Sequence, residues 1–171
     1  MNKRKIDVFE YSNLINKSFE QGIFLTTKYN DKVNSMVIGW GTLGVIFEKP
    51  IFIVYVRNNR FTHELLEKTT EFTVNVPING IDNKTFRICG SKSGRDLDKI
   101  KESNLTLVEP NKISVPGIKE IPLTIECKVI YKFDEETEKL PIEIQKRFYS
   151  YEKGTYHTAY YGEIVDAYII E

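Results

Sequence analysis

Cysteine, histidine and tryptophan are all scarce in this chain of 171 residues: two, two and one copies respectively. Cys89 and Cys127 stand far apart with no CxxC spacing, and His63 and His157 are too few to complete a ligand set, which argues against a zinc site. An excess of one charge is also missing. With 24 basic and 24 acidic residues the chain is formally neutral, so no global field draws it to nucleic acid or anionic lipid, and a small-molecule partner is expected. Nor is there a long apolar run. The longest, IFIVYV, is far too short to span a bilayer, and the basic start MNKRKID leads into VFEYSNLINKSFEQG rather than an apolar signal core. These absences predict a cytoplasmic, reduced protein with no membrane partner.

What is present is globular. Hydrophobic residues make up 41% of the chain and aromatic ones 12%, enough for a single packed domain over 1–171, with no linker, repeat or low-complexity segment to divide it. GIFLTT and VNSMVIGW are β-rich runs separated by KYNDK, whose Asn30-Asp31 supplies hairpin-turn chemistry. EKPIFIVYVRNNR has Pro50 at a strand entrance and then a continuous apolar run, the pattern of a central strand covered on both faces. Thr62 is expected to cap a short helix, HELLEKTT, and EFTVNVP to alternate as a strand with Phe72, Val74 and Val76 inward. A helix over 82–89, capped by Asp82 and ended by Gly90, and a third after the SKSGR turn complete the first half. In the second half LTLVE reads as a strand, and TIECKVIYKF as another with Ile125, Cys127, Val129 and Tyr131 on one face. PIEIQKRFYSY reads as an amphipathic helix with Pro141 at its first position, and YHTAYYGEIVDAYII as a long strand bent at Gly162. Many strands and few short helices, without regular βαβ alternation, predict a mainly β fold: an antiparallel sheet rolled into a barrel with peripheral helices.

Several motifs invite a chemical reading. GWGTLG satisfies GxGxxG, but a strand with a proline at its entrance follows where a dinucleotide fingerprint needs a helix, so the glycines serve a bulge or the approach of something flat. VRNNRFTHE places Arg57 and Arg60 just before a helix start, which fits a phosphate cradle; solvated arginines at a strand end fit it equally well. SGRDLDK repeats the chemistry with Ser93, the Gly94 amide, Arg95 and Lys99, although Asp96 and Asp98 could satisfy the same cations. Nucleophiles are few. Cys89 with His63 or His157 has no supporting signature, His157 reads as structural or as part of a site rim, and Glu135-Glu136 as a solvated turn. Phosphate-type turns, glycines and aromatics without acids, bases or nucleophiles describe a site whose bound cofactor does the chemistry.

The order NSMVIGWG, KPIFIVYVRNNRFTHELLE, EFTVNVP, CGSKSGRDLDK and HTAYYGEIV resembles the flavin reductase-like family, the flavoredoxin-type FMN-binding split barrels, over roughly residues 18–170. The resemblance implies a split β-barrel of antiparallel Greek-key type, a homodimer, and FMN held non-covalently near the subunit interface. It puts Asn34, Ser35, Met36, Val37, Ile38 and Trp40 near the isoalloxazine ring, and Arg57, Asn58, Arg60 and Thr62 around the ribityl chain and phosphate. Cys89, Gly90, Ser91, Ser93, Gly94 and Lys99 are implied as further flavin or phosphate contacts, with no catalytic side chain and no metal. The implied activity is hydride transfer from NADH or NADPH to FMN and onward to an acceptor, either free flavin, a small molecule or a redox protein. An electron carrier of the same fold and a non-redox module for another phosphorylated ligand are the rival readings. Two departures stand out: relatives commonly have Pro-Ser where this chain has Asn58-Asn59, implying a looser turn, and Thr where it has Val37.

Overall fold

A computed structural model describes residues 1–150 and 154–171. Its strands are Lys3–Lys5 (β1), Ile23–Tyr29 (β2), Lys32–Ile38 (β3), Gly41–Ile46 (β4), Lys49–Arg57 (β5), Glu71–Val76 (β6), Leu107–Val108 (β7), Gly117–Ile118 (β8), Leu123–Asp134 (β9) and His157–Ile170 (β10). Short helices Ser12–Ser18 (α1), Phe61–Leu66 (α2), Asn83–Ser91 (α3), Lys99–Glu102 (α4) and Ile142–Phe148 (α5) lie between them. Antiparallel pairing runs in the order β3-β2-β6-β9-β10-β5-β4, with β1 added on β10 and β7-β8 as a separate pair. Only Gly39 and Trp40 separate the two end strands β3 and β4, so the sheet has to roll until its edges meet. Among the described residues β3 and β4 do not pair, which leaves the barrel split.

The apolar runs explain the closure. Phe52, Val54 and Val56 of β5 fill the barrel together with Phe72, Val74 and Val76 of β6 and Leu25 of β2. Ile51 and Ile53 pack on the opposite face against Ala159, so β5 is covered on both sides, as its unbroken apolar run requires. Each such buried side chain contributes roughly 1.5–3 kcal/mol. Gly162 lets β10 cross the barrel: a Cβ there would stand 2.4 Å from Phe72 Cζ and 2.7 Å from Cys127 Cβ.

Several local expectations are corrected. Gly41–Ile46 is a full strand rather than a bulge, turned into β5 at Phe47 and Glu48, whose φ values of 55° and 58° are both left-handed. Tyr131 pairs with Tyr161 while Val129 pairs with Gly162, so Ile130 is an extra residue and Tyr131 turns away from the face of Ile125 and Cys127. Thr62 does not cap α2; Arg60 holds that position and Thr62 lies inside the first turn. Asp82 caps α3 through the Thr85 amide as expected, but the helix runs through Gly90 to Ser91. The third helix starts only at Lys99, capped by Asp98, and LTLVE keeps just two strand residues. Pro141 sits at the cap of α5 rather than inside it; Tyr151, the end of that helix reading, lies outside the described residues. No described helix is long and apolar enough to cross a membrane, and no described cluster of His, Cys, Asp and Glu could hold a metal ion.

Candidate functional site

Two clefts open where β3 meets α2 and the segment following α3. The floor of the first is set by Asn34 on β3, whose Nδ2 donates to Thr62 Oγ1 at 2.7 Å. Asn34 Oδ1 is buried without a partner among the described residues. Gly94 lies directly over it: a Cβ at that position would be 2.1 Å from Asn34 Oδ1 and 2.8 Å from Phe61 Cδ1. The cleft, about 110 Å³, is then walled by residues 59–62, by Cys89–Arg95 and by Lys99.

Its cations are unevenly matched. Lys99 is only 5% exposed, and its ammonium donates to the Cys89 carbonyl at 2.9 Å, closing the end of α3. Burial lowers its pKa from the ordinary lysine value, and Arg60 nearby lowers it further. Among the described residues neither Lys99 nor Arg60 has an acidic partner. Arg95 differs. It pairs with Glu64, donates to the Asn59 carbonyl at 3.3 Å and lies 5.6 Å from the Phe61 ring, so it braces the loop against α2. Asp96 and Asp98 are not its partners; Asp98 instead caps α4 through the Lys101 amide.

The second cleft, about 220 Å³, shares Met36, Arg60 and Gly90 with the first and continues along Val37, Ile38, Gly39 and Trp40 to Tyr55, Arg57 and His157. The Trp40 ring lies 4.5 Å from His157 and 5.2 Å from Phe148. Arg57 donates to the Phe148 carbonyl at 2.9 Å, fastening the end of α5 over this cleft. Behind His157, Tyr149 Oη lies 2.8 Å from His157 Nδ1 and donates to Glu135 Oε2 at 2.5 Å. Burial alone would push the Glu135 carboxyl up, but His157, whose Nδ1 lies 3.6 Å from Oε2, and the hydrogen bond from Tyr149 outweigh it and hold the group below the usual carboxylate range. Burial and the Glu135 carboxylate push the Tyr149 phenol well up. A third cleft shares Gly39, Trp40 and Tyr55 and reaches Phe19 and Glu135.

Of the sixteen residues named from the sequence, Asn34, Met36, Val37, Ile38, Trp40, Arg57, Arg60, Thr62, Cys89, Gly90, Ser91, Ser93, Gly94 and Lys99 line these two clefts. Ser35 and Asn58 do not. The Ser35 side chain turns to the other face of β3, where it accepts from Thr26 Oγ1 at 3.1 Å. Asn58 ties the turn to residues 154–156 through its amide to the Tyr156 carbonyl at 3.0 Å and its Nδ2 to the Gly154 carbonyl at 3.0 Å, so that turn is braced rather than loose. A Cys–His pair does not form: burial pushes the Cys89 thiol up, its sulfur sits 4.0 Å from Ser103 Oγ, and His63 bonds to Thr158 at 3.0 Å. Glu135 is no solvated turn residue. Tyr55, Tyr149 and Glu135 carried no local signal, because three separate elements bring them together.

The fold is a split antiparallel barrel, and its cation-lined cleft adjoins an aromatic one. The chain is a member of the flavin reductase like domain family, which it matches over residues 17–171. An uncharacterized protein of Archaeoglobus fulgidus is 30% identical over 121 residues, which span 71% of this chain and 67% of that one. The flavoredoxin of Methanosarcina acetivorans superposes with a TM-score of 0.67 at 25% identity, covering 88% of this chain and 68% of that one. The NADH:FAD oxidoreductase SgcE6 of Streptomyces globisporus gives 0.61 at 18% identity, covering 85% of this chain and 74% of that one.

Proposed function

We propose that the protein binds FMN non-covalently across the two clefts and works as an NADH- or NADPH-dependent oxidoreductase. One observation carries the reading: the cleft holding Arg60 and Lys99, neither with an acidic partner among the described residues, shares Met36, Arg60 and Gly90 with the cleft bordered by Trp40 and Tyr55. The residues present fit a phosphorylated flavin. Two cations without a carboxylate among the described residues, Lys99 buried and Arg60 exposed at the rim, are placed to receive an anion. Asn34 Oδ1, buried beneath Gly94, lacks among the described residues the donor that a ribityl hydroxyl would supply. Bound there, the flavin accepts hydride and passes electrons on; the chain binds, orients and shields it. In this reading Arg60, Lys99, Ser91 and Ser93 hold the phosphate end, Asn34 and Thr62 the ribityl chain, and Met36 to Trp40 the ring.

Arg60→Ala is expected to weaken FMN binding by about 10–100-fold, the worth of one charge-assisted hydrogen bond. Fluorescence titration of the flavin-free protein measures it, and an unchanged dissociation constant would remove Arg60 from the phosphate site. Anaerobic titration of the FMN-loaded protein with NADH and NADPH separates a reductase from a carrier, since a carrier keeps its flavin oxidised.

A second copy of the chain is the partner we assign to the outer face of β9 and β10. There Ile130, Tyr131 and Phe133 are 42%, 54% and 40% exposed beside Tyr161, an apolar and aromatic cluster left open to water. Sedimentation velocity is expected to show a dimer at micromolar concentration, and a single monomer boundary would overturn the assignment.

A further inference from the structure

His157, Tyr149 and Glu135 form a hydrogen-bonded chain that nothing in flavin binding requires. The protons in it can be placed by valence. A phenol has one proton to give, and Glu135, held ionised, accepts it at 2.5 Å. Tyr149 Oη must then accept from His157, so Nδ1 carries the hydrogen across the 2.8 Å contact. His157 is buried apart from its edge on the second cleft, and its Nε2 has no partner among the described residues. The other charged group facing the chain is Arg57, whose guanidinium lies 5.6 Å from the Tyr149 ring. Trp40, against the imidazole, keeps it from turning.

We propose that His157 is the general acid for an organic acceptor reduced in this cleft, with Tyr149 and Glu135 as the positioning residues that fix its tautomer. The acceptor class is a planar quinone or conjugated carbonyl, which fits a cleft bordered by Trp40 and Tyr55 and floored by Gly39. The step balances: the acceptor takes hydride from reduced flavin and a proton from His157 Nε2, leaving oxidised flavin, the two-electron-reduced acceptor and a neutral imidazole already in the tautomer that Tyr149 selects. Solvent reprotonates it. This rests on the flavin reading, which supplies the reductant.

The test compares reoxidation of the reduced FMN-loaded protein by 1,4-naphthoquinone, which needs protons, and by ferricyanide, which takes electrons alone. Tyr149→Phe and Glu135→Gln should each lower the naphthoquinone-to-ferricyanide rate ratio about 10-fold and change the solvent deuterium isotope effect on the quinone reaction. An unchanged ratio overturns the proposal while leaving flavin binding intact; a protein that takes up no flavin overturns the flavin reading, and this proposal with it. Two further readouts need no turnover. Nitrogen NMR of the flavin-free protein should show the Nδ1–H tautomer of His157 and its loss in Tyr149→Phe; an Nε2–H tautomer in the parent protein also sinks the proposal. Trp40, the one tryptophan in the chain, should be quenched by naphthoquinone alike in the parent and in Tyr149→Phe, which shows that the variant keeps the cleft.

Discussion

Gly94→Ala is expected to cut FMN affinity by more than about 100-fold and to destabilise the flavin-free protein by roughly 1–3 kcal/mol. The reason is steric rather than conformational, since Gly94 is not among the residues held at positive φ. The added Cβ would stand 2.1 Å from Asn34 Oδ1, closer than any real contact, and 2.8 Å from Phe61. Two escapes exist and both damage the site. Asn34 can swing away, which breaks its bond to Thr62 Oγ1 and moves β3 relative to α2. Alternatively the loop retreats, which takes Arg95 off Glu64 and opens the first cleft. Because the clash has one main partner, Asn34→Ala should recover part of the lost stability. Urea denaturation of both single variants and the double variant should give a favourable coupling of about 0.5–3 kcal/mol. FMN affinity stays low in the double variant, since the floor of the cleft has gone. Parent-like affinity in Gly94→Ala would mean that FMN does not pass over Asn34.

The barrel was legible wherever a single chemical pattern decides an element. The unbroken apolar run of β5, the alternation of β6 and the Asn30 turn between β2 and β3 each have one inexpensive solution, and the chain adopts it. The misses occur where tertiary packing outvotes local chemistry. Phe47-Glu48 carries none of the Gly, Asn or Asp that marks a two-residue hairpin turn, so the β4–β5 hairpin was invisible. The bulge at Ile130 shifts Tyr131 to the other face through pairing with β10, and no window of β9 alone contains that information. The site divides in the same way. Arg60, Gly94 and Lys99 sit in short cationic, glycine-bearing turns and could be named. That Arg95 answers to Glu64, with Lys99 left lacking an acid, depends on how α2 packs on the loop. The Glu135, Tyr149 and His157 chain depends on more still: the register that sets Thr158 opposite Asp134, and the return of α5 over the end of β9. Only His157, beside aromatics at the start of a strand, carried any prior signal.

Lys99→Met is expected to separate binding from stability. A lysine whose pKa in the folded protein lies below its ordinary value of 10.5 opposes folding while it is charged. Its destabilising effect is complete below the lowered folded pKa and fades as pH rises toward the ordinary one, because the unfolded chain binds more protons in that window. Replacing it with methionine removes that burden at neutral pH but orphans the Cys89 carbonyl, which costs about 1–3 kcal/mol. The two terms oppose each other, so the flavin-free variant should unfold within about 1 kcal/mol of the parent protein. FMN binding has no such compensation. A buried ammonium facing a phosphate, with no carboxylate competing for it, acts in a low dielectric, and its loss should lower FMN affinity roughly 100-fold. Riboflavin, which has the ring and ribityl chain but no phosphate, supplies the control: its affinity should be nearly the same for the parent protein and for Lys99→Met. Titrating both flavins against both proteins closes a thermodynamic square whose coupling belongs to the phosphate alone. If riboflavin and FMN lose affinity equally, Lys99 shapes the cleft only by holding the end of α3, and the anion lies against Arg60 alone.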